Sequence, residues 1–177
     1  MKLLFPLFLS LLSPAFASTS SYIVENLSFP DDMPPEIGGL AFDGKGNLYA
    51  CLRRGDIVVT QPGKDSGATR WKVFATGLHN PMGMQWVGPG RLVVSQMAEL
   101  TEIIDTDGDG TADRYNNLST AFGISGNYHE TNAICPDGDG GYYVALGTAS
   151  HNGPTFFSPR GEYSKVGRRG RNFSSNH

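Results

Sequence analysis

An alternation of apolar and polar positions around a glycine-rich turn recurs three times along the chain. The first copy spans residues 39–51, the second spans 83–95, and the third spans 133–145. No gap is needed to align them, and in each copy two apolar stretches flank a turn of Asp, Gly and Pro residues. This pattern is the signature of a β-hairpin. The sequence therefore predicts three hairpins in a common repeat register.

Further apolar stretches between the copies predict additional strands. Residues 55–60 and 100–104 supply a third strand after the first and second hairpins, and residues 71–75 supply a fourth strand before the second copy. Four short strands in roughly 45 residues is the size of one blade of a β-propeller. We expect the apolar side chains that repeat in this register to pack between neighbouring sheets, namely Leu40, Phe42, Met84, Trp86 and Ile134.

The predicted fold class is all-β, an incomplete β-propeller with about three blades of an expected six. The alternative is a β-sandwich, which also consists of short strands separated by turns. The gapless register favours the propeller, because three copies rarely align by chance. Closed propellers have about four to eight blades. Unless chains associate, we expect the last blade to leave an open sheet edge and exposed apolar surface.

Composition supports a turn-rich β protein and argues against one class of partner. The chain contains 23 Gly and 11 Pro without a collagen period, and 39% of its residues are hydrophobic. Such a composition is typical of many tight turns between short strands. The formal net charge is −3, and the basic cluster at 168–171 lies in the C-terminal tail. No broad cationic face is available for nucleic acid.

The first residues resemble a secretory signal peptide. Lys2 precedes an apolar run over residues 3–12, and Ala15 and Ala17 place small residues where a signal peptidase cuts. We therefore expect a signal peptide over 1–17, an N-terminal extended segment over 18–35 and a partial propeller over 36–177, in a secreted or periplasmic protein. No later stretch reaches the roughly 20 apolar residues of a membrane span, so none is expected after cleavage.

Two cysteines are present, Cys51 and Cys135, and neither belongs to a zinc, redox or haem spacing. An exported protein suggests a disulfide. However, Cys51 falls in the second strand of the first copy and Cys135 in the first strand of the third. A whole blade separates them, which predicts two free, mostly buried thiols.

An acidic loop lies between the second and third copies. Carboxylates occupy positions 1, 3, 5 and 9 of the loop, a glycine occupies position 6, and a carbonyl at position 7 adds a neutral oxygen: Asp105, Asp107, Asp109, Asp113, Gly110 and Thr111. This is the spacing of a calcium loop. Asn116 stands at position 12 in place of the usual Glu, and no flanking helices are apparent. We expect a structural calcium ion, and the alternative is a solvated acidic turn without an ion.

The third copy also resembles a known family of enzymes. His129 precedes Ile134 by five residues, and the second strand of the copy leads to Gly147. The run Gly-Leu-His-Asn-Pro-Met-Gly-Met at 77–84 is similar to the Gly-Leu-x-Asn-Pro-x-Gly-Leu blade entry of the glucose/sorbosone dehydrogenases. The resemblance covers roughly residues 36–150. It is closest to the propeller domain of large exported proteins similar to membrane-bound dehydrogenases.

This resemblance implies a six-bladed propeller that uses pyrroloquinoline quinone and calcium, with His129 as the base that removes a hydroxyl proton from a sugar. Thr148 departs from the family, because the dehydrogenases carry an Asp there that orients the histidine. Blades that would supply cofactor-binding cations are also missing, so we expect this chain alone to be inactive. In the simpler interpretation, His129 is a turn residue that hydrogen-bonds to backbone.

The expected function is therefore an exported, quinoprotein-like sugar or aldose dehydrogenase domain. The alternative is a non-catalytic extracellular propeller that binds a carbohydrate or a protein partner. The propeller fold alone does not distinguish the enzyme from the binding protein. Cationic residues around the central pocket in further blades would distinguish the enzyme from the binding protein.

Overall fold

The structure is a computed structural model that describes residues 22, 24–63, 69–97, 99–120, 131–146, 163–166 and 172–174. Its described residues form twelve β-strands. The first sheet contains β1 (Ile37–Phe42), β2 (Leu48–Leu52), β3 (Ile57–Thr60) and β4 (Lys72–Ala75). The second contains β5 (Gly83–Gly88), β6 (Arg91–Gln96), β7 (Glu99–Ile104) and β8 (Arg114–Ser119), and the third contains β9 (Thr131–Pro136), β10 (Tyr142–Leu146), β11 (Tyr163–Val166) and β12 (Asn172–Ser174).

Each sheet is a four-stranded antiparallel meander in which strands follow one another in chain order. The first strands of the sheets approach one another, since β1 packs beside β5 and β5 beside β9. Three sheets stacked in series, with their first strands innermost, form consecutive propeller blades. The predicted all-β class and partial propeller are confirmed, and the two-sheet sandwich is excluded. No described segment is a helix long and apolar enough to cross a membrane.

Two of the predicted hairpin turns use the same local device. Asp43 accepts hydrogen bonds from the backbone N–H groups of Lys45 and Asn47, at 2.7 and 2.9 Å. Asp137, at the same repeat position, accepts them from Asp139 and Gly141, both at 2.8 Å. An Asp side chain that bonds its own downstream backbone fixes a tight turn. The Asp-Gly repeats therefore determine where these hairpins reverse.

Two apolar clusters hold the three sheets together. Between the first and second sheets, Phe74 is buried against Tyr49 with their rings edge to face, 5.3 Å between centroids. Met84 and Trp86 pack into the same cluster from β5. Between the second and third sheets, Ile134 packs on a cluster of buried residues, Val93, Leu100 and Val144. The repeat register predicted the inward direction of Met84, Trp86 and Ile134 correctly.

The same prediction was wrong for Leu40 and Phe42, which are 54% and 60% exposed. They occupy the face of the first sheet that points away from the second, and no sheet among the described residues precedes it. Nearby, Phe29 and Met33 of the N-terminal segment pack with Trp71 over the β2 and β3 part of that face. The apolar side chains of β1 remain in water because burial needs a neighbouring sheet as well as a strand.

Both cysteines are free, as predicted, but only Cys51 is buried. Its thiol lies 3.5 Å from the carbonyl oxygen of Pro81, and burial raises the pKa of Cys51 to about 11. Such a thiol is unreactive at neutral pH. Cys135 is exposed, since it lies on the outward face of the third sheet opposite Tyr143. The expectation of two mostly buried thiols was therefore wrong for Cys135.

Candidate functional site

The acidic loop connects β7 to β8 at the end of the sheets where the hairpin turns lie. It begins where the backbone N–H of Asp105 donates to the carbonyl of Gly90, at 2.8 Å. It closes where the N–H of Asp113 donates to the carbonyl of Ile104, at 2.9 Å. These two bonds continue the ladder of the second sheet. The strands therefore hold both ends of the loop in fixed positions.

The structure brings three of the predicted carboxylates together. One oxygen from each of Asp105, Asp107 and Asp109 lies within 4.8 Å of the other two. Asp105 accepts the N–H groups of Gly108 and Gly110, both at 2.8 Å, so the loop turns around its carboxylate. The two glycines have φ angles of +80° and +83°, which favour residues without a Cβ atom. This turn directs alternate carboxylates toward one point, as a calcium loop requires.

Of the other two predicted ligands, Asp113 lies outside this group and Thr111 is bonded to one of its members. Asp113 accepts hydrogen bonds from the backbone N–H and the hydroxyl of Thr106, at 3.2 and 2.5 Å. The bond from the Thr106 side chain holds the pKa of Asp113 below its usual value. Thr111 donates its backbone N–H to Asp109 at 2.7 Å. Both carboxylate oxygens of Asp113 are therefore engaged by Thr106.

Three contacts tie the loop and its following strand to the first sheet. The N–H of Ala112 donates to the carbonyl of Phe74 at 2.7 Å, and the Lys72 ammonium donates to the carbonyl of Asp109 at 2.8 Å. In β8, the hydroxyl of Tyr115 donates to the carbonyl of Thr76 at 3.1 Å. Order in this loop therefore stabilises the contact between the two blades.

A cleft of about 720 Å³ separates the first and second sheets at this end. Its walls include the aromatic side chains of Tyr49 and Trp86, and polar groups from Asp43, Lys72 and Asp107. An aromatic wall beside a few polar groups is a common arrangement for a small polar ligand. The cleft and the acidic loop form one continuous surface.

The predicted catalytic residue, His129, lies outside the described residues, as do Gly147 and Thr148. The next described element in the chain is β9, which is the innermost strand of the third sheet. Because β9 opens its hairpin in the same register as β5, its first residues lie at the end of the sheets opposite the acidic loop.

Sequence reasoning missed a polar network at that opposite end. The side-chain amide of Gln96 donates to Glu99 at 2.8 Å and to Thr101 at 2.7 Å. Asn117 donates to the second oxygen of Glu99 at 2.7 Å, and Thr101 is also bonded to Glu99. Gln96 and Thr101 are buried, so this network fixes the β6–β7 turn. In the sequence, the polar residues Ser95 and Gln96 at the end of the apolar strand β6 were the signal that could have indicated this network.

The described residues therefore form propeller blades, and the second blade carries an acidic loop that contacts the first. The chain belongs to the family described as a domain of unknown function, DUF7133, whose model matches residues 21–176. No curated protein matches the chain.

Two solved structures share the fold at low sequence identity. The chain is similar to the pyranose dehydrogenase PQQ domain from Coprinopsis cinerea, in its holo form, with 18% identity and a TM-score of 0.52 over 72% of this chain and 30% of that one. It is also similar to a luciferin-regenerating enzyme, with 14% identity and a TM-score of 0.55 over 78% of this chain and 45% of that one. The chain thus spans less than half the length of either protein.

Proposed function

We propose that the chain forms the first three blades of an exported propeller domain of the quinone-dependent sugar dehydrogenase type, and that a longer form supplies the remaining blades. The proposal rests mainly on the third repeat copy, residues 133–145, which aligns without gaps with the first two copies. Ile134 packs between the second and third sheets as that register requires. In the sequence, His129 precedes β9, the innermost strand of the third blade. The likeness to a PQQ-binding propeller domain supports the same fold.

The chemistry assigned to His129 is the removal of a proton from a sugar hydroxyl. Imidazole has a pKa of about 6.5, so at neutral pH most of it is the neutral form that accepts a proton. An adjacent carboxylate normally fixes the tautomer and stabilises the protonated ring. Thr148 stands where the resembling dehydrogenases carry that carboxylate. A hydroxyl cannot stabilise imidazolium by charge, so we expect the base to be weak.

The described residues do not fit pyrroloquinoline quinone on their own. An anionic quinone needs several cations and an enclosing wall. Arg53 and Arg54 lie near the start of β1, but both are exposed, and Arg53 already donates to Asn80 at 3.1 Å. The cleft of the first two sheets opens at the opposite end. Further blades therefore have to supply most of the cofactor site.

Dye reduction with pyrroloquinoline quinone, calcium and several aldoses tests this proposal. The 177-residue chain alone is expected to show no turnover above the quinone blank. A form extended to six blades is expected to turn over weakly, and Thr148→Asp in that form to increase kcat by about tenfold or more, because orienting partners are typically worth 10- to 100-fold. Thr148→Asn is the matched control without a charge. Strong turnover by the unextended chain, or no response to Thr148→Asp in an active ring, would contradict the proposal.

We further propose that the acidic loop binds one calcium ion in a structural role. Three negative carboxylates held within reach of one another repel unless a cation neutralises them. Extracellular calcium sites bind with a dissociation constant of about 10⁻⁴–10⁻³ M. Because the loop bonds to Phe74 and Lys72 of the first sheet, ion binding would hold the first two blades together.

Calcium is expected to stabilise the chain against thermal unfolding. At 10 mM calcium and a dissociation constant of about 10⁻⁴ M, the expected gain is about 2.7 kcal/mol. Asp107→Asn should remove most of this gain, whereas Asp139→Asn, in the exposed turn between β9 and β10, should leave it unchanged. Calorimetric titration with calcium measures the same difference as heat. An equal response of both variants, or no calcium heat in the parent chain, would rule out the site.

The alternative function is a non-catalytic propeller that binds a carbohydrate or a protein. The cleft beside Trp86 and Tyr49 favours it, because aromatic faces with nearby carboxylates suit a sugar. The cleft is lined by residues of the first two sheets alone, so binding there does not require further blades. Saccharide binding by the chain alone, without turnover in the six-bladed form, would favour this function.

A further inference from the structure

The hydroxyl of Tyr49 faces the cleft between the first and second sheets. Tyr49 is only 8% exposed, and its ring packs edge to face on Phe74. Its side chain lines the cleft together with Asp43 and Asp105, and the charges of both carboxylates act on its hydroxyl. The ring therefore lies in the core between the sheets, with its polar end directed toward the cleft.

This buried hydroxyl has no hydrogen-bond partner among the residues that the structure describes. Tyr115, at the contact of the same two sheets, differs in this respect. Its hydroxyl accepts the N–H of Thr76 at 3.3 Å and donates to the carbonyl of Thr76 at 3.1 Å. Native structures leave few buried hydroxyls unpaired, because an unpaired one destabilises the fold. The hydroxyl of Tyr49 is thus available to a bound molecule.

The charges around this hydroxyl decide how it can bond. Burial raises the pKa of Tyr49, and the negative charges of Asp43 and Asp105 raise it further. The hydroxyl therefore keeps its proton at neutral pH and is able to donate it. Asp105 accepts one N–H on each oxygen, from Gly108 and Gly110, whereas a carboxylate has about four acceptor positions. The cleft thus combines one donor with acceptors that are not yet saturated.

This combination selects the class of ligand. A group that satisfies it has to accept a hydrogen bond from Tyr49 and donate one to a carboxylate, and an alcohol does both with a single oxygen. An ammonium group cannot accept, and an anion cannot donate. The lining residues include three carboxylates and two ammonium groups, so no excess of positive charge attracts an anion. The cleft therefore suits a neutral molecule that carries hydroxyl groups.

Trp86 adds a flat wall to this cleft. A Cβ atom at Gly44 would lie 3.6 Å from the indole ring of Trp86, so the ring reaches from β5 to the hairpin turn of the first sheet. The negative face of an indole attracts the C–H groups of a flat ring. Water satisfies the hydroxyl alone, but one water occupies about 30 Å³. The cleft has a volume of about 720 Å³, which accommodates a whole sugar ring.

We propose that this cleft binds the pyranose ring of a neutral sugar, which stacks on Trp86 while one of its hydroxyls accepts from Tyr49 and donates to Asp43 or Asp105. This inference rests on the alternative function, saccharide binding, and names the groups that recognise the sugar. It does not involve the quinone. The first and second sheets are already neighbours, so a longer form with more blades leaves the cleft unchanged.

Fluorescence titration of a chain with a single tryptophan tests the site. Trp71 is the only other tryptophan, and it stacks on Phe29 and does not line the cleft. In the Trp71→Phe background, glucose and galactose are expected to change the emission of Trp86 with saturation. Glycerol is the control ligand, since it has hydroxyls but no ring, and it is expected to give no saturation. Glucuronate should bind at least about tenfold more weakly, because its charge is repelled by the carboxylates.

Tyr49→Phe separates recognition from folding. It is expected to weaken hexose binding by about tenfold, the usual value of one hydrogen bond. Its melting temperature should be unchanged or higher, because the variant removes a buried hydroxyl that has no partner. Tyr115→Phe is the matched control. It loses two hydrogen bonds within the chain, so it should melt at a lower temperature and bind the hexoses as the parent does.

All titrations are made once with calcium and once with a chelator, so that a missing calcium site and a missing sugar site are distinguished. Methyl glucoside that binds as well as glucose would assign the cleft to a sugar residue of a glycan, and weaker binding would assign it to the free sugar. Saturation with neither hexose in either buffer would overturn both this proposal and the saccharide-binding function. Hexose binding that Tyr49→Phe leaves unchanged, or a melting temperature that Tyr49→Phe lowers as much as Tyr115→Phe does, would overturn this proposal alone.

Discussion

Phe74→Ala is expected to destabilise the chain by about 3–5 kcal/mol, the range for loss of a buried aromatic side chain. Phe74 is only 1% exposed and packs edge to face on Tyr49 between the first and second sheets. Its carbonyl also accepts the N–H of Ala112 from the acidic loop. The substitution would leave a cavity at the contact between two blades. Total stabilities of single domains are about 5–15 kcal/mol, so a large share would be lost.

Val73→Ala is the matched control, since the neighbouring residue of β4 points to the other face of the sheet and is 39% exposed. It is expected to cost less than about 1 kcal/mol, as for surface substitutions. Urea unfolding followed by tryptophan fluorescence measures both values. Equal effects of the two substitutions would show that the first and second sheets do not stack as described.

The strands and turns could be predicted from sequence because their causes are local. Alternation of apolar residues specifies which side chains share a face of a strand. The side chains of Asp43 and Asp137 accept hydrogen bonds from backbone N–H groups a few residues downstream. A few consecutive residues therefore determine the position of each turn. The gathering of Asp105, Asp107 and Asp109 has the same origin. Their spacing on a tightly turning backbone brings the carboxylates together without distant contacts.

Burial could not be predicted in the same way, because it depends on neighbours far along the chain. Leu40 and Met84 have equivalent sequence surroundings, yet only Met84 has a sheet packed against it. Cys135 is exposed for the corresponding reason on the third sheet. The network of Gln96 and Glu99 also escaped prediction. It forms only when β6, β7 and β8 align, and no local spacing encodes that alignment.

In the six-bladed form, His129→Ala is expected to reduce kcat for aldose oxidation by about 10²- to 10⁴-fold, the usual contribution of a general base. The parent rate is expected to be low, because Thr148 stands where the dehydrogenases that the chain resembles carry an orienting carboxylate. A loss at the lower end of that range is therefore more consistent with the proposed site. His79→Ala is the matched control, since His79 is an exposed histidine of the described residues and has no proposed role in catalysis.

The pH dependence of kcat/KM in the same form gives a second view of this base. Protonation of His129 would remove the base, so the rate is expected to rise with pH and to level off above the pKa of the imidazole. Thr148→Asp should move the rise to higher pH, because a carboxylate stabilises the protonated ring.

The most direct test of the proposed dehydrogenase-type domain is quinone-dependent dye reduction by the six-bladed form and its His129→Ala variant, measured side by side. The account predicts weak turnover in the parent, its loss in His129→Ala, and an unchanged rate in His79→Ala. Turnover that persists unchanged in His129→Ala, or a complete absence of turnover with every aldose tested, would contradict it.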